Sequence, residues 1–258
     1  MILFLLKIIM REDYPRKWGV LLEAFSMFMM LFVFWFTSRA FVPISHNIES
    51  YFHYLFWGEF ILFLPLSLLQ QNIRVGKKMA IRGTFDLLLV TKINPLKYFF
   101  TFSLGYLVKD IFKLLILIIM AVLFFELSLS WTNTFTLFIY IFISSLFFSL
   151  IGVSIGLSLI FWGRGEGIWG QLISFLSIMA GAYFPMSNFS ELIVRVGKVL
   201  NPLQTYLEYG RSIESEGLSA LPVGLGLWFI VIIIIHIFLY RFGLESYKKN
   251  GPPAGITL

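Results

Sequence analysis

Apolar residues along this chain gather into long runs, separated by short clusters rich in Lys, Arg, Pro and Gly. A helix needs about 20 predominantly apolar residues to cross a bilayer core of ~30 Å. Six runs are of roughly that length: 18–37, 51–69, 99–125, 135–162, 168–184 and 221–240. The pattern predicts an all-α membrane protein with six transmembrane helices, built as a single domain over 1–258.

The polar positions orient these runs. Membrane proteins keep Lys and Arg in their cytoplasmic loops. With the N-terminus inside, the inner segments hold Lys7, Arg11, Arg16, Lys17, Arg74, Lys77, Lys78, Arg82, Lys92, Lys97, Arg164, Arg241, Lys248 and Lys249. The outer segments hold only Arg39, Arg195, Lys198 and Arg211, and Lys109 and Lys113 lie in the third run. Both termini are therefore expected in the cytoplasm of a multi-pass protein of the cell membrane. Trp18, Tyr51, Trp131, Trp162 and Tyr240 fall at predicted span ends, as interfacial aromatics do. Residues 2–17 are apolar first and basic later, which predicts an interfacial helix along the inner leaflet. They lack a small-residue cleavage site and run into Arg11, Glu12 and Asp13, which argues against a signal peptide.

Composition agrees with the pattern. Hydrophobic residues make up 59% of the chain and charged residues 13%, about half the charged share of a soluble domain. The formal charge of +6 is explained by where the basic residues lie, and it does not point to nucleic acid. Without cysteine there is no disulfide, thiolate metal site or cysteine nucleophile.

Several short patterns resemble catalytic motifs. Gly165-Glu166-Gly167-Ile168-Trp169-Gly170 matches a dinucleotide-binding spacing but follows a span rather than a strand, so it reads as a tight inner turn. Gly152-Val153-Ser154-Ile155-Gly156 matches a nucleophile-elbow spacing. With His236 in the sixth run, Ser154 gives the least favoured reading, an intramembrane serine hydrolase. The stronger reading is a small-residue face for helix packing. His46, His53 and Glu49 make no convincing metal set. Ionisable residues within spans are costly and carry functional hypotheses. Glu59 lies near the middle of the second run and could line a path or pair with a neighbouring subunit, which keeps a secondary transporter or channel as the alternative. Lys109, Asp110 and Lys113 of the third run read as a buried ion-pair set between helices, and Glu23 lies near the inner end of the first run.

Two non-spanning segments narrow the picture. The inner one reads IRGTFDLLLVTKINPLKYF from Ile81 to Phe99. Thr84 is placed to cap a short helix with Phe85, Leu88 and Leu89 on its apolar face, and Asn94-Pro95 forms a break before the third span. An exposed apolar helix there invites a partner protein. The outer segment reads GAYFPMSNFSELIVRVGKVLNPLQTYLEYGRSI from Gly181 to Ile213. Pro185 breaks the fifth span, Ser187 or Asn188 can cap an amphipathic helix to about Leu200, and Asn201-Pro202 starts another that ends near Gly217.

In order and topology these segments resemble the ABC-2-type permeases, the membrane subunits of ATP-binding-cassette exporters. The matching residues are Gly83, Thr84, Asp86, Leu87, Leu88 and Pro95, then Gly181, Phe184, Pro185, Asn201, Pro202, Leu203, Tyr206 and Arg211. The chain departs at Thr91-Lys92, where many relatives carry proline. The resemblance implies a cytoplasmic coupling helix over Arg82 to Val90, with Arg82, Gly83, Thr84, Phe85, Asp86, Leu87 and Leu88 meeting an ATPase. It implies short outer re-entrant helices between spans five and six, with Phe184, Pro185, Asn201, Pro202, Tyr206 and Arg211 at an outer gate. The chain lacks a phosphate-binding G-x-x-x-x-G-K-[ST] loop. The resemblance therefore implies no cofactor on this chain, with ATP and Mg on a separate ATPase subunit, and a second permease chain, identical or different. The expected activity is export of an amphipathic, drug-like or lipid-linked cargo, not catalysis by the chain itself, and the expected compartment is the bacterial inner membrane.

Overall fold

The computed structural model describes residues 19–40, 48–91, 93–163, 166–218 and 222–251. The expected interfacial helix 2–17, His46, Lys92, Arg164 and Gly165 lie outside the described residues. Within them every regular element is helical: α1 (Gly19–Ala40), α2 (Ile48–Ile81), α3 (Thr84–Val90), α4 (Pro95–Phe125), α5 (Trp131–Trp162), α6 (Glu166–Met179), a 3₁₀ turn (Met186–Asn188), α7 (Glu191–Leu200), α8 (Pro202–Glu216) and α9 (Val223–Asn250).

Among the described residues four helices are long and apolar enough to cross a membrane: α1, α2, α5 and α9. The other two expected spans differ for physical reasons. Helix α4 has 31 residues, but Lys109, Asp110 and Lys113 interrupt its apolar character. Helix α6 has 14 residues, or ~21 Å at 1.5 Å per residue, against a ~30 Å core. It ends at Met179 because Gly181 adopts φ 82° and Pro185 follows. Helix α2 runs twelve residues beyond the expected span end at position 69, since nothing between Gln70 and Ile81 breaks a helix although the apolar run has stopped.

Helix α2 is the axis of the molecule and packs most extensively on α5, with α1, α3, α4, α6 and α8 around it. The α2–α5 seam depends on absent side chains. A Cβ on Gly76 would sit 2.5 Å from the Gly156 Cα, and one on Gly152 would sit 2.7 Å from the Leu69 carbonyl oxygen. Small residues let two backbones meet where lipid provides no hydrophobic drive between helices. The seam also holds a polar hub. Asn72, fully buried, donates to the Ser149 hydroxyl at 3.0 Å and accepts from the Ser103 hydroxyl at 2.7 Å, tying α2, α5 and α4 together. The packing reading of Gly152 and Gly156 therefore holds.

Glu23 of α1 with Asp110 and Lys113 of α4 form an interhelical charged set. Lys113 pairs with Glu23 of α1 and lies 3.6 Å from Asp110 one turn away, while Ser67 of α2 donates to Asp110 at 2.6 Å. Elsewhere the bundle surface is strongly apolar. Phe25, Phe36, Phe112, Leu123, Phe135, Ile234 and Phe238 are all exposed, as suits helices whose solvent is hydrocarbon.

Candidate functional site

Two non-spanning regions, at opposite ends of α2, carry the predicted site residues. At the basic end, Gly83 adopts φ 62°, a conformation that costs a residue with a Cβ, and turns the chain from α2 into α3. Thr84 is the first helical residue rather than the cap, and no side chain caps the N-terminus of α3. The helix stops at Val90 without a proline because the Thr91 hydroxyl donates back to the Leu87 carbonyl at 2.8 Å. Asn94 then caps α4 by accepting from the Leu96 N–H at 2.9 Å, with Pro95 at the first helical position.

The apolar face of α3 turns inward. Phe85 and Leu88 are buried, and Leu89 is half-buried. Phe85 sits edge-on to Phe161 of α5 and Tyr247 of α9, with centroids 5.8 and 5.1 Å away. The Tyr247 hydroxyl donates to Asp86 at 2.9 Å. What remains exposed is Asp86, Leu87, Val90 and Thr91, the flanking Ile81 and Ile93, and the turn residues Arg82 and Gly83. Of the expected coupling residues, Phe85 and Leu88 belong to the chain's own core, with Leu89 beside them, while Leu87 stands outside together with Val90. Tyr247 was missed altogether. Its only sequence signal is an aromatic, hydroxyl-bearing residue in the polar tail of the last helix.

At the other end, residues 181–184 leave helical geometry, so their carbonyls need new donors. The chain supplies one for each. The Arg211 guanidinium donates to Gly181 O at 2.9 Å and to Ala182 O at 3.1 Å, and also to Tyr54 O at 3.1 Å. Tyr51 donates to Tyr183 O at 3.0 Å, while Tyr54 donates to Gly181 O at 2.6 Å and Phe184 O at 3.1 Å. Arg211 also lies 3.6 Å above the Tyr54 ring, a stacked cation–π contact. Burial pulls the Arg211 pKa below its usual value, opposed by Tyr54. Tyr183 sends its own hydroxyl to Glu59, 2.9 Å away. The strap 181–184 is thus clamped between α2 and α8.

Helix α8 is placed by three further contacts to its neighbours. Asn201, buried, accepts from the Leu203 N–H at 3.1 Å as its cap and donates to Leu176 O of α6 at 2.7 Å. Pro202 follows at the first position, and Gly217 ends the helix, as the sequence predicts. Tyr206 has no exposed surface, and its hydroxyl donates to Ile61 O at 3.1 Å. That carbonyl is free because Pro65, four residues on within α2, has no N–H to give it. Tyr140 of α5 donates in turn to Tyr206 O at 3.0 Å. Asn201, Pro202 and Tyr206 are therefore internal supports, Arg211 is half-buried, and Phe184 is the member of the predicted outer set that stands exposed. Helix α7 begins at Glu191, after the turn containing Ser187 and Asn188, and buries none of its residues.

Ser154 and His236 do meet, with Oγ and Nδ1 2.9 Å apart. The Ser154 hydroxyl is also within 2.9 Å of the Leu150 carbonyl. A hydroxyl carries one proton. If the carbonyl takes it, His236 donates its Nδ1 proton to Oγ, the reverse of general-base geometry. Among the described residues no carboxylate bonds the other ring nitrogen. The contact joins α5 to α9. Among the described residues no group of three His, Asp or Glu is gathered as a metal site.

No family model matches the chain, and no curated protein matches it. Among the described residues, fold and site together define an all-helical arrangement with four helices long and apolar enough to cross a membrane, bearing a short anchored helix at its basic end and a clamped strap at the other.

Proposed function

We propose that the chain is the permease subunit of an ATP-driven exporter of the ABC-2 type, moving an amphipathic cargo outward with energy from a separate ATPase. In this reading the chain crosses the bacterial inner membrane six times with both ends cytoplasmic. Helix α4 crosses as a charged span, and α6 with the strap crosses as a short one. Helices α7 and α8 lie at the outer leaflet, and two permeases associate with two ATPases.

The observation that carries the reading is the construction of α3. Seven residues stand between two long helices, anchored through Phe85, Leu88 and Asp86, and present Leu87 and Val90 outward at the basic end. A helix held on one side with apolar side chains free on the other is suited to docking in a groove. Because Tyr247 and Phe161 hold it, a push on α3 reaches α9 and α5 directly. ATP-driven closure can shift the bundle only through a difference in affinity between its two packings.

The test is recovery of the motor. Purification of the chain from its native membranes in mild detergent should bring down an ATP-hydrolysing subunit. Reversing the charges of Arg82 and Asp86 together should release that subunit and stop ATP-dependent transport. Transport driven by a proton gradient without ATP, lost in Glu59→Gln, would instead favour a secondary transporter.

A further inference from the structure

Among the described residues Glu59 is an acid with no opposite charge beside it. Glu23 and Asp110, the acids of α1 and α4, share Lys113. Glu59 is half-buried in α2, and its partner is the Tyr183 hydroxyl. Among the described residues no cation lies within ion-pair distance of it. Other outer-end cations are engaged elsewhere, Arg211 on three carbonyls and Arg39 4.4 Å above Trp35. A carboxylate within a span is costly unless something compensates it.

The surroundings suit one kind of compensation. Tyr183 donates to one carboxylate oxygen and so fixes the group while the other oxygen stays available. The Tyr183 ring packs beside Phe34, centroids 6.3 Å apart, which places aromatic surface next to the charge. Phe63 and Leu66 follow Glu59 on the same face of α2, four and seven residues on, and both are half-buried whereas Phe60, Ile61, Leu62 and Leu64 are buried. An acid, aromatic rings and a partly open apolar strip thus lie together along one helix face.

We propose that Glu59, held by Tyr183, receives the cationic centre of an amphipathic organic cation whose apolar body lies along Phe63 and Leu66. A neutral cargo would leave the carboxylate uncompensated, and an anionic one would be repelled. The proposal gives a substrate class to the transport reading and rests on it. Its test does not, because binding by the isolated permease needs no ATPase.

The full chain in lipid nanodiscs is titrated with tetraphenylphosphonium, and with tetraphenylborate as an anion of the same shape. Wild type should bind the phosphonium saturably and more tightly than the borate. Glu59→Gln should weaken phosphonium binding by about tenfold or more, as expected when a charge-assisted contact is lost. Glu59→Asp should retain most of it, and Tyr183→Phe should weaken it by a smaller factor. Absence of saturable phosphonium binding to wild type, equal binding of the borate, or unchanged affinity in Glu59→Gln overturns the proposal. So does a result in which Glu59→Gln disperses a dimer without altering phosphonium affinity, which assigns the carboxylate to a second copy. Should Glu59→Gln fail to fold, the phosphonium–borate preference of wild type and the Glu59→Asp affinity decide. A failure here leaves recovery of an ATPase unaffected, and failure to recover an ATPase leaves the binding result standing.

Discussion

The two ends of α2 solve one problem in opposite ways. Each meets a short irregular segment whose backbone must find partners. At the strap, four consecutive carbonyls, 181–184, are bonded by Arg211, Tyr51 and Tyr54. At α3, a seven-residue helix satisfies most of its own backbone and is held by Phe85, Leu88 and the Tyr247–Asp86 bond, leaving Leu87 and Val90 uncovered. The first arrangement resists displacement because each bond broken exposes a carbonyl. The second tolerates displacement, since the helix can move as a unit and keep its internal bonds. A clamped strap at one end and an anchored helix with an open face at the other are what the proposed exporter, driven from its basic end, would use.

Breaking the rigid end should have the largest effect. Arg211→Met keeps much of the stem but removes donors from three carbonyls, Gly181, Ala182 and Tyr54. Hydrogen bonds from a charged group contribute ~1.5–3 kcal/mol each, and orphaned carbonyls add to the loss, so the net cost should be about 3 kcal/mol or more. Thermal melting in detergent should fall by roughly 10 °C. A shift below 2 °C would mean that the strap is not clamped as described.

The Tyr206–Pro65 relation gives the next effect. Tyr206→Phe leaves the Ile61 carbonyl unbonded in a buried position, at about 1–2 kcal/mol. The sharper measurement is a double-mutant cycle. Pro65→Ala restores an N–H that can bond Ile61 within α2, so the penalty of Tyr206→Phe should shrink in that background. An unchanged penalty would separate the tyrosine from the proline.

The difference between the ends also explains what could be read from the chain. Asn94-Pro95 and Asn201-Pro202 were legible as helix starts because a cap and a proline act within three residues. Gly152 and Gly156 were legible as packing residues because their spacing alone puts them on one face. The buried side of α3 was not legible: Tyr247, 161 residues away, selects it. The donors of the strap come from α2 and α8, far off in sequence, so Tyr51 looked like an interfacial aromatic and Tyr54 carried no signal. Hydropathy also marked the wrong quantity at two places. It reported where apolar character stops at position 69, not where the helix stops at Ile81, and it ran on through Gly181 where the helix had ended at Met179.

A smaller effect is expected at the movable end. Tyr247→Phe keeps the ring against Phe85 and removes only its bond to Asp86. Asp86 is exposed and can turn to water, so the cost should be about 0.5–1 kcal/mol. The informative quantity is the amount of transport per ATP hydrolysed in the reconstituted complex. It should fall while ATPase association is kept, because the link from α3 to α9 is loosened. Asp86→Asn, which retains an acceptor for the same hydroxyl, should restore most of the ratio relative to Asp86→Ala.

The smallest effect on stability belongs to the surface that should matter most to a partner. Leu87 and Val90 are 61% and 79% exposed and contribute little to the fold. Replacing both with serine should alter stability by no more than about 0.5 kcal/mol, the usual range for exposed sites. If α3 enters a groove, the same pair supplies the desolvated centre of the contact, and truncation at such a centre costs ~2 kcal/mol or more per hot spot. Association with the ATPase should then weaken by at least about thirtyfold while the melting temperature stays where it was. Phe85→Ser should show the reverse order, losing stability first, because its ring lies between Phe161 and Tyr247 rather than at the surface. Equal loss of folding from both changes would show that α3 has no free face, and with it the distinction between the two ends would fail.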